Sequence, residues 1–559
     1  MRRSQPARSI LWVGMSCLAG VAAAQIPDRP TMDAATAQNA NPERPLPRYL
    51  TPAERDWMRD NQWGGAAGTG LAPTGPVHCV AEYEPMDAII IAWEGPTTWT
   101  TILAAMAGRI TNAGDANLYV ALDAPSEETT ARLAMQQYNA DMSRVTFVIR
   151  QTDSIWMRDY GPRYVYEGPC RAIIDHTYNR PRPFDDDFPE GFAVLKGHAR
   201  YEIPLVHGGG NYHLDANDHS YATRLINNEN PGLTEQEIHD LWMEYQNLDT
   251  TFFDPFPTSV DLTQHIDMWM QVISDSQVII SDWPYNSGST QDQICDSAAA
   301  LLAERGYTVF RVPARSVNGV HYTYTNVVMC NGIVLVPFYT NTQVIQHNAQ
   351  AVDVWRDALP EKQIIQINCE PIVSAAGVMH CIVMHLPEPL GGATPTAYLK
   401  SLRDNETLTP GDSVAIDFIS DDDERVVHYG VLLSTNGGRT FDVELLPDAP
   451  IAYRFEWTVP DVFAPHCRLK VIVRDADGNS GEDQSPADFA IAGTLMHGDM
   501  NCDTHIDNFD IDPFVVAIIS RDAFEASMPG CAWIAADVNA DDAVNNFDID
   551  AFVMLLAGG

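Results

Sequence analysis

Six consecutive residues, Ala88-Ile89-Ile90-Ile91-Ala92-Trp93, carry no charge, so a strand formed there must be buried on both faces. Such a strand needs helices to cover it, and the chain supplies them in alternation. Helical patterns over 98–110 and 127–138 flank strand patterns over 117–122 and 145–150. The same alternation returns in a strand over 278–280, a helix over 292–305, and strands over 308–312, 333–337 and 363–367. Up to about residue 390 this predicts an α/β domain.

The 559 residues exceed one ordinary core, and the pattern changes after residue 390. Short alternating strands over 413–419, 427–434, 441–446, 453–459 and 468–473, with turn residues between them, predict an immunoglobulin-like β-sandwich over 395–493; the alternative is a sheet extension of the first domain. Hydrophobic residues at 45% and charged residues at 19% fit a folded chain. A net charge of -41 excludes a nucleic-acid binder, which must neutralise phosphates, and favours a basic ligand.

Residues 1–24 read as a signal peptide: Arg2, Arg3 and Arg8 precede an apolar run, and Ala22-Ala23-Ala24 offers a cleavage site. No later run is long enough to span a bilayer, so the expected location is secreted or at the cell surface. Residues 25–75, rich in Pro, Asn, Ala and Gly, read as an exposed flexible leader with one short helix over 51–59. Of ten cysteines, Cys17 leaves with the signal. The odd remainder predicts at least one unpaired thiol, for which Cys381 is the candidate.

The last sixty residues repeat a spacing of oxygen-bearing side chains. Asp499, Asn501, Asp503, Asp507 and Asp510 in the first copy match Asp537, Asn539, Asp541, Asn545 and Asp548 in the second. These are positions 1, 3, 5, 9 and 12 of an EF-hand-type loop, whose oxygens suit Ca2+. With Asn-Phe-Asp-Ile-Asp in both copies, the stretch 496–559 resembles a dockerin type I module, although Asp replaces Glu at position 12 and Gly is missing at position 6. The resemblance implies a small all-α calcium module docking on a cohesin-like or cell-surface partner, the other reading being a calcium-stabilised tail. A disulfide between Cys502 and Cys531 is expected within it.

Within the α/β domain, polar residues stand where an apolar core pattern does not want them. Trp156-Met157-Arg158-Asp159-Tyr160-Gly161-Pro162 ends in a turn; Arg180 and Arg182 alternate with prolines and suit an anion; His207-Gly208-Gly209-Gly210-Asn211 lacks any nucleotide-loop spacing. On a strand, His265 and Asp267 would share a face, as a proton-transfer pair, as metal ligands, or as a core histidine with a neighbour. Cys381 is a candidate nucleophile, and in an extended segment His380 would face away from it, leaving His265 to serve the thiol. Two carboxylates, an imidazole and a thiol together suit a guanidinium, a planar cation that Asp159 and Asp267 can hold bidentately. Two carboxylates alone would raise the pKa of a neighbouring thiol; a bound cation reverses that field.

Trp156 through Pro162, Gly209-Gly210-Asn211, His265-Ile266-Asp267 and His380-Cys381-Ile382 together resemble the Porphyromonas-type peptidylarginine deiminase and agmatine deiminase family, over residues 76–390. The resemblance implies a pentein propeller, five α/β units in five-fold pseudosymmetry, with Asp159, His265, Asp267 and Cys381 as the catalytic set. It implies deimination through a covalent thiol intermediate without a cofactor: Trp156 packs on the aliphatic stem, and Arg180 and Arg182 bind a substrate's C-terminal carboxylate. Asn326 adds a hydrogen bond near the site or serves a strand turn. Peptidylarginine is the expected substrate, agmatine or free arginine the alternative, and a non-catalytic arginine-peptide-binding surface protein the reading from another class.

Overall fold

The computed structural model describes residues 45–61, 63, 71–503 and 505–558. The expected signal peptide and the first part of the leader lie outside them. Residues 86–387 build five small sheets on one plan. In each, a central strand pairs antiparallel with one neighbour and parallel with the other. The central strands are Met86–Ala92, Cys170–Tyr178, His219–Thr223, Gln277–Asp282 and Ile333–Phe338. A parallel neighbour needs a crossover, and helices such as Thr97–Ile110, Thr290–Glu304 and His347–Ala358 provide it.

Burial follows from composition. Ile89, Ile90 and Ile91 are fully buried, each removal from water contributing roughly 1.5–3 kcal/mol. Helix Thr97–Ile110 turns Trp99, Ile102, Leu103, Met106 and Ile110 inward at helical spacing. The last strand of the domain, Met384–Pro387, pairs antiparallel with Met86–Ala92, so the end of the domain closes onto its beginning.

The antiparallel strands of the five sheets are Arg163–Glu167, His213–Leu214, Met270–Ser274, Val328–Cys330 and Met384–Pro387. Directly before them in the chain stand Asp159, Gly210, Asp267, Asn326 and Cys381. The fold therefore contributes one chemistry-bearing loop per unit, at the same topological point each time.

After residue 390 two further sheets share one apolar core, with Trp457, Leu469, Val471 and Phe489 buried in it. The expected strands are present, as Ser413–Asp421, Val426–Ser434, Val443–Pro450, Arg454–Thr458 and Phe463–Asp475. This strand unit is tied to the α/β domain through buried Arg171, whose Nε lies 2.9 Å and Nη2 2.9 Å from Asp421 carboxylate oxygens. The tail carries helices Ile511–Ile519, Arg521–Ser527 and Asp548–Leu556, with Phe514 and Phe552 stacked at 3.9 Å and a Cys502–Cys531 disulfide as expected. Among the described residues no helix is long and apolar enough to cross a membrane.

The leader departs from expectation. Its helix forms, as Pro52–Asp60, with Pro at the first turn and a reciprocal Thr51–Glu54 capping box. The segment is not exposed throughout, however: Arg48 and Glu54 are fully buried against the α/β domain, while Pro52, Arg55, Asp56, Arg59 and Asp60 face solvent.

Candidate active site

Asp159, His265, Asp267 and Cys381 converge and are all buried. At their centre lies a guanidinium, that of Arg48. Its Nε and Nη2 donate to Asp159 Oδ2 and Oδ1 at 2.9 and 2.8 Å. Its Nη1 and Nη2 donate to Asp267 Oδ1 and Oδ2 at 3.0 and 2.9 Å. His265 Nδ1 stands 2.8 Å from Nη2 and accepts from it. Two bidentate carboxylates around one planar cation use the fork geometry that sets arginine apart from lysine.

Local structure explains how these side chains arrive. Asp159 sits in the short helix Met157–Tyr160, whose main chain is pinned by Gly209 N–H donating to Asp159 O at 2.9 Å. Gly210 N–H donates to Asp159 Oδ1 at 3.2 Å, and Gly210 O accepts from Asp267 N–H at 3.2 Å. A Cβ on Gly210 would lie 1.8 Å from Arg48 Nη2, so the glycine run exists to let backbone approach the cation. Asn211 Oδ1 accepts from Ile266 N–H at 3.2 Å and so links this loop to the His265 segment.

The His265–Asp267 segment is not a strand. His265 is extended and Ile266–Met268 forms a 3₁₀ turn. The two side chains still meet one target, because the turn rather than strand alternation brings them round. His380–Ile382 is likewise a 3₁₀ turn, so the extended geometry that would have turned His380 away does not exist. His380 instead belongs to the site: its Nδ1 lies 2.9 Å from Asp267 Oδ2 and its Nε2 2.9 Å from Glu82 Oε1. Glu82 also pairs with Arg158 at 2.7 Å.

Cys381 Sγ receives Asn326 Nδ2–H at 3.1 Å and lies 3.6 Å from Asp267 Oδ2. Asn326 thus touches the thiol and also precedes the strand Val328–Cys330. Cys381 is one of seven unpaired cysteines among the described residues, all buried, so cysteine parity does not single it out; its neighbours do.

Electrostatics follow from burial and charge. Burial pushes the Cys381 thiol well above its usual range; Arg48 opposes this, while Asp267 and Asp159 reinforce it. Burial would raise the Asp159 carboxyl, but the Arg48 charge beside it outweighs burial and holds it well below the carboxylate range. Asp267 is depressed the same way by Arg48 and His380. Burial and the Arg48 charge lower the His265 pKa, so its imidazole is neutral and free to accept.

The expected substrate-binding residues hold the leader. Trp156 Nε1–H donates to Leu46 O at 2.9 Å. Arg180 Nε–H donates to Arg48 O at 3.2 Å. Arg182 is not free for a substrate carboxylate: it pairs with buried Glu54 at 2.8 Å and donates to Pro47 O at 2.7 Å. Composition marked the leader as solvated, and nothing in it signalled Arg48; Glu82 was equally without a local signal, and His380, though it stands in the Cys381 motif, was expected to face away.

In the tail, the two loops repeat one another's hydrogen bonds. Asp503 N–H donates to Asp499 Oδ1 at 3.2 Å and Asn501 Oδ1 at 3.0 Å; Asp541 N–H donates to Asp537 Oδ1 at 3.0 Å and Asn539 Oδ1 at 2.9 Å. Asp510 and Asp548, both buried, accept from Asp507 N–H and Asn545 N–H, each at 2.9 Å. The accepting side-chain atoms are all oxygens, a set that suits a hard cation.

A model described as Porphyromonas-type peptidyl-arginine deiminase matches residues 78–387, more than half of the chain. An agmatine deiminase of Ectopseudomonas mendocina is 24% identical over 365 residues, covering 56% of this chain and 96% of that protein. An agmatine deiminase of Pseudomonas aeruginosa is 23% identical over 360 residues, covering 55% and 95%. Among solved structures, the agmatine deiminase of Enterococcus faecalis aligns with a TM-score of 0.48 at 18% identity, over 56% of this chain and 96% of that one.

Proposed function

The chain belongs to the Porphyromonas-type peptidyl-arginine deiminase family, hydrolases acting on C–N bonds in linear amidines, and from that premise we propose that it converts peptidylarginine to peptidylcitrulline and ammonia. The observation that carries this reading is Arg48 itself. Its guanidinium stands where a substrate guanidinium would be held, and its main-chain carbonyl accepts from Arg180. Agmatine has no such carbonyl. Because Tyr49 follows Arg48, the bound arginine is an internal one, which widens the expected preference beyond C-terminal arginine.

In the proposed reaction Asp159 and Asp267 fix the cation and its plane. Sγ of Cys381 attacks the central carbon, and the thiol proton passes to the terminal nitrogen that His265 faces, so ammonia leaves. His265 then activates water against the resulting thiouronium, the C–S bond breaks, and the ureido product and free thiol are formed. Substrate binding supplies the positive charge that favours the thiolate between two carboxylates.

A second reading, hydrolysis of agmatine, is favoured by the names of the relatives. Arg48→Ala protein, assayed with arginine peptides, free arginine and agmatine, separates the two by ureido product and ammonia. Peptides should show the lowest KM. Turnover of agmatine alone would establish the second reading, and binding without ammonia release a non-catalytic arginine binder.

For the remainder, the proposal is an exported protein whose strand unit is an immunoglobulin-like sandwich and whose tail is a dockerin-like calcium module serving attachment to a cohesin-like or surface partner. The repeated oxygen loops and the disulfide support it. Calcium titration after chelation should order the tail while leaving deiminase activity unchanged.

A further inference from the structure

The cation in the site comes from the chain's own strap of residues 45–61. Three successive carbonyls of the strap, those of Leu46, Pro47 and Arg48, each accept from a side chain of the α/β domain. Arg48 N–H donates to Ala375 O at 3.0 Å. Contacts of this kind grip a peptide main chain. The side chain then passes Gly377, where a Cβ would lie 3.1 Å from Arg48 Cδ and 2.9 Å from Cys381 Sγ. A merely structural arginine needs carboxylates; this one also has the imidazole on a terminal nitrogen, and its stem and the Cys381 thiol both border the space that Gly377 leaves open.

We propose that Arg48 is a substrate of its own chain: Cys381 deiminates it in one intramolecular turnover, and the citrulline so formed releases the strap and opens the site to other arginine peptides. This rests on the deiminase reading above. In the step, a bond forms between Sγ and Cζ, one C–N bond breaks, and ammonia carries off the thiol proton. One water then adds to Cζ, the C–S bond breaks, the thiol is restored, and the cation's remaining proton is taken up by the ammonia. The ureido group is neutral and presents a carbonyl oxygen where an N–H donated. Asp159 and Asp267 thereby lose their counter-charge, and an acceptor faces acceptors.

The full chain and its Cys381→Ala variant test this by tryptic digestion and mass spectrometry of the peptides around residue 48. Trypsin cuts after arginine and not after citrulline. Active protein should lose cleavage at residue 48 and carry the NH-to-O mass increase, while Cys381→Ala is cut there. Cys381→Ala mixed with active chain should keep its arginine; conversion as fast as in the active chain would overturn the intramolecular step. Arg48→Lys keeps a cation but no guanidinium carbon, and should hydrolyse added arginine peptide more slowly than Arg48→Ala. If Arg48→Ala hydrolyses added peptide while Arg48 of the unmutated protein stays arginine, self-deimination is wrong and the deiminase reading stands. If no guanidinium is hydrolysed in any variant, both fall.

Discussion

His380 neighbours Cys381 in sequence, yet its Nδ1 lies 2.9 Å from Asp267 Oδ2, and Glu82 takes its other nitrogen at 2.9 Å. The histidine therefore aims a carboxylate that holds the guanidinium. It is a positioning residue, and the imidazole facing a terminal nitrogen of the Arg48 guanidinium is that of His265.

His380→Ala should consequently lower kcat about 100-fold, the scale expected when a reacting geometry is displaced by about 1 Å. KM should change less. His380→Gln, which can still donate to Asp267, should recover part of the loss, a split that steady-state kinetics resolves.

Gly210→Ala should abolish guanidinium binding without unfolding the chain. The added Cβ would lie 1.8 Å from Arg48 Nη2 and 2.8 Å from both Asp159 Oδ1 and Asp267 Oδ2. Gly210 is not among the positive-φ residues, so alanine is tolerated by the backbone itself. Circular dichroism should be unchanged while kcat/KM for arginine peptides falls below detection.

Burial pushes the Glu229 carboxyl up to about 7, against the pull of Arg180. Above that pH its negative charge competes for Arg180 with a substrate carboxylate; below it, the competitor is neutral. KM for peptides ending in arginine should therefore fall as pH drops through about 7, by roughly fivefold, equivalent to about 1 kcal/mol. Glu229→Gln should flatten this dependence, as KM measured at pH 6 and pH 8 will show.

Burial would raise the Asp421 carboxyl, but Arg171 and His198 outweigh it and hold it below the ordinary carboxylate range. A depressed folded pKa contributes stability above the unfolded value of about 3.9, lost as pH falls through the lower folded value. Asp421→Ala leaves buried Arg171 with Asp87, at 3.6 Å, as its remaining carboxylate partner and should cost about 3 kcal/mol at neutral pH. Denaturant titration measures the loss. The difference between variant and unmutated protein should shrink below pH 3.

Much of the fold is legible along the chain because burial of a short segment leaves a local mark. The isoleucine run at 89–91, the helical spacing of Trp99, Ile102, Leu103 and Met106, and the doubled tail loops each carry their signal within a few residues. Four of the converging side chains were visible for a related reason: Asp159, His265, Asp267 and Cys381 are polar or reactive residues set in apolar surroundings. Their backbone was not visible. His265–Asp267 and His380–Cys381 read as strands, but 3₁₀ turns form where loops precede the antiparallel strands.

Sequence alone thus determined the α/β alternation, the change of pattern after residue 390 and four of the polar residues that converge. Tertiary structure decided which histidine meets the guanidinium and which meets Asp267. It also decided that Arg48, 111 residues before Asp159 and 219 before Asp267, is buried between them. The physical reason is range. Periodicity records which face of an element leaves water, over a few residues; a charge pair closes across any length of chain and imposes no pattern on the residues around it. An arginine in a proline-rich leader looks the same whether it faces solvent or two carboxylates, until the fold brings the carboxylates to it.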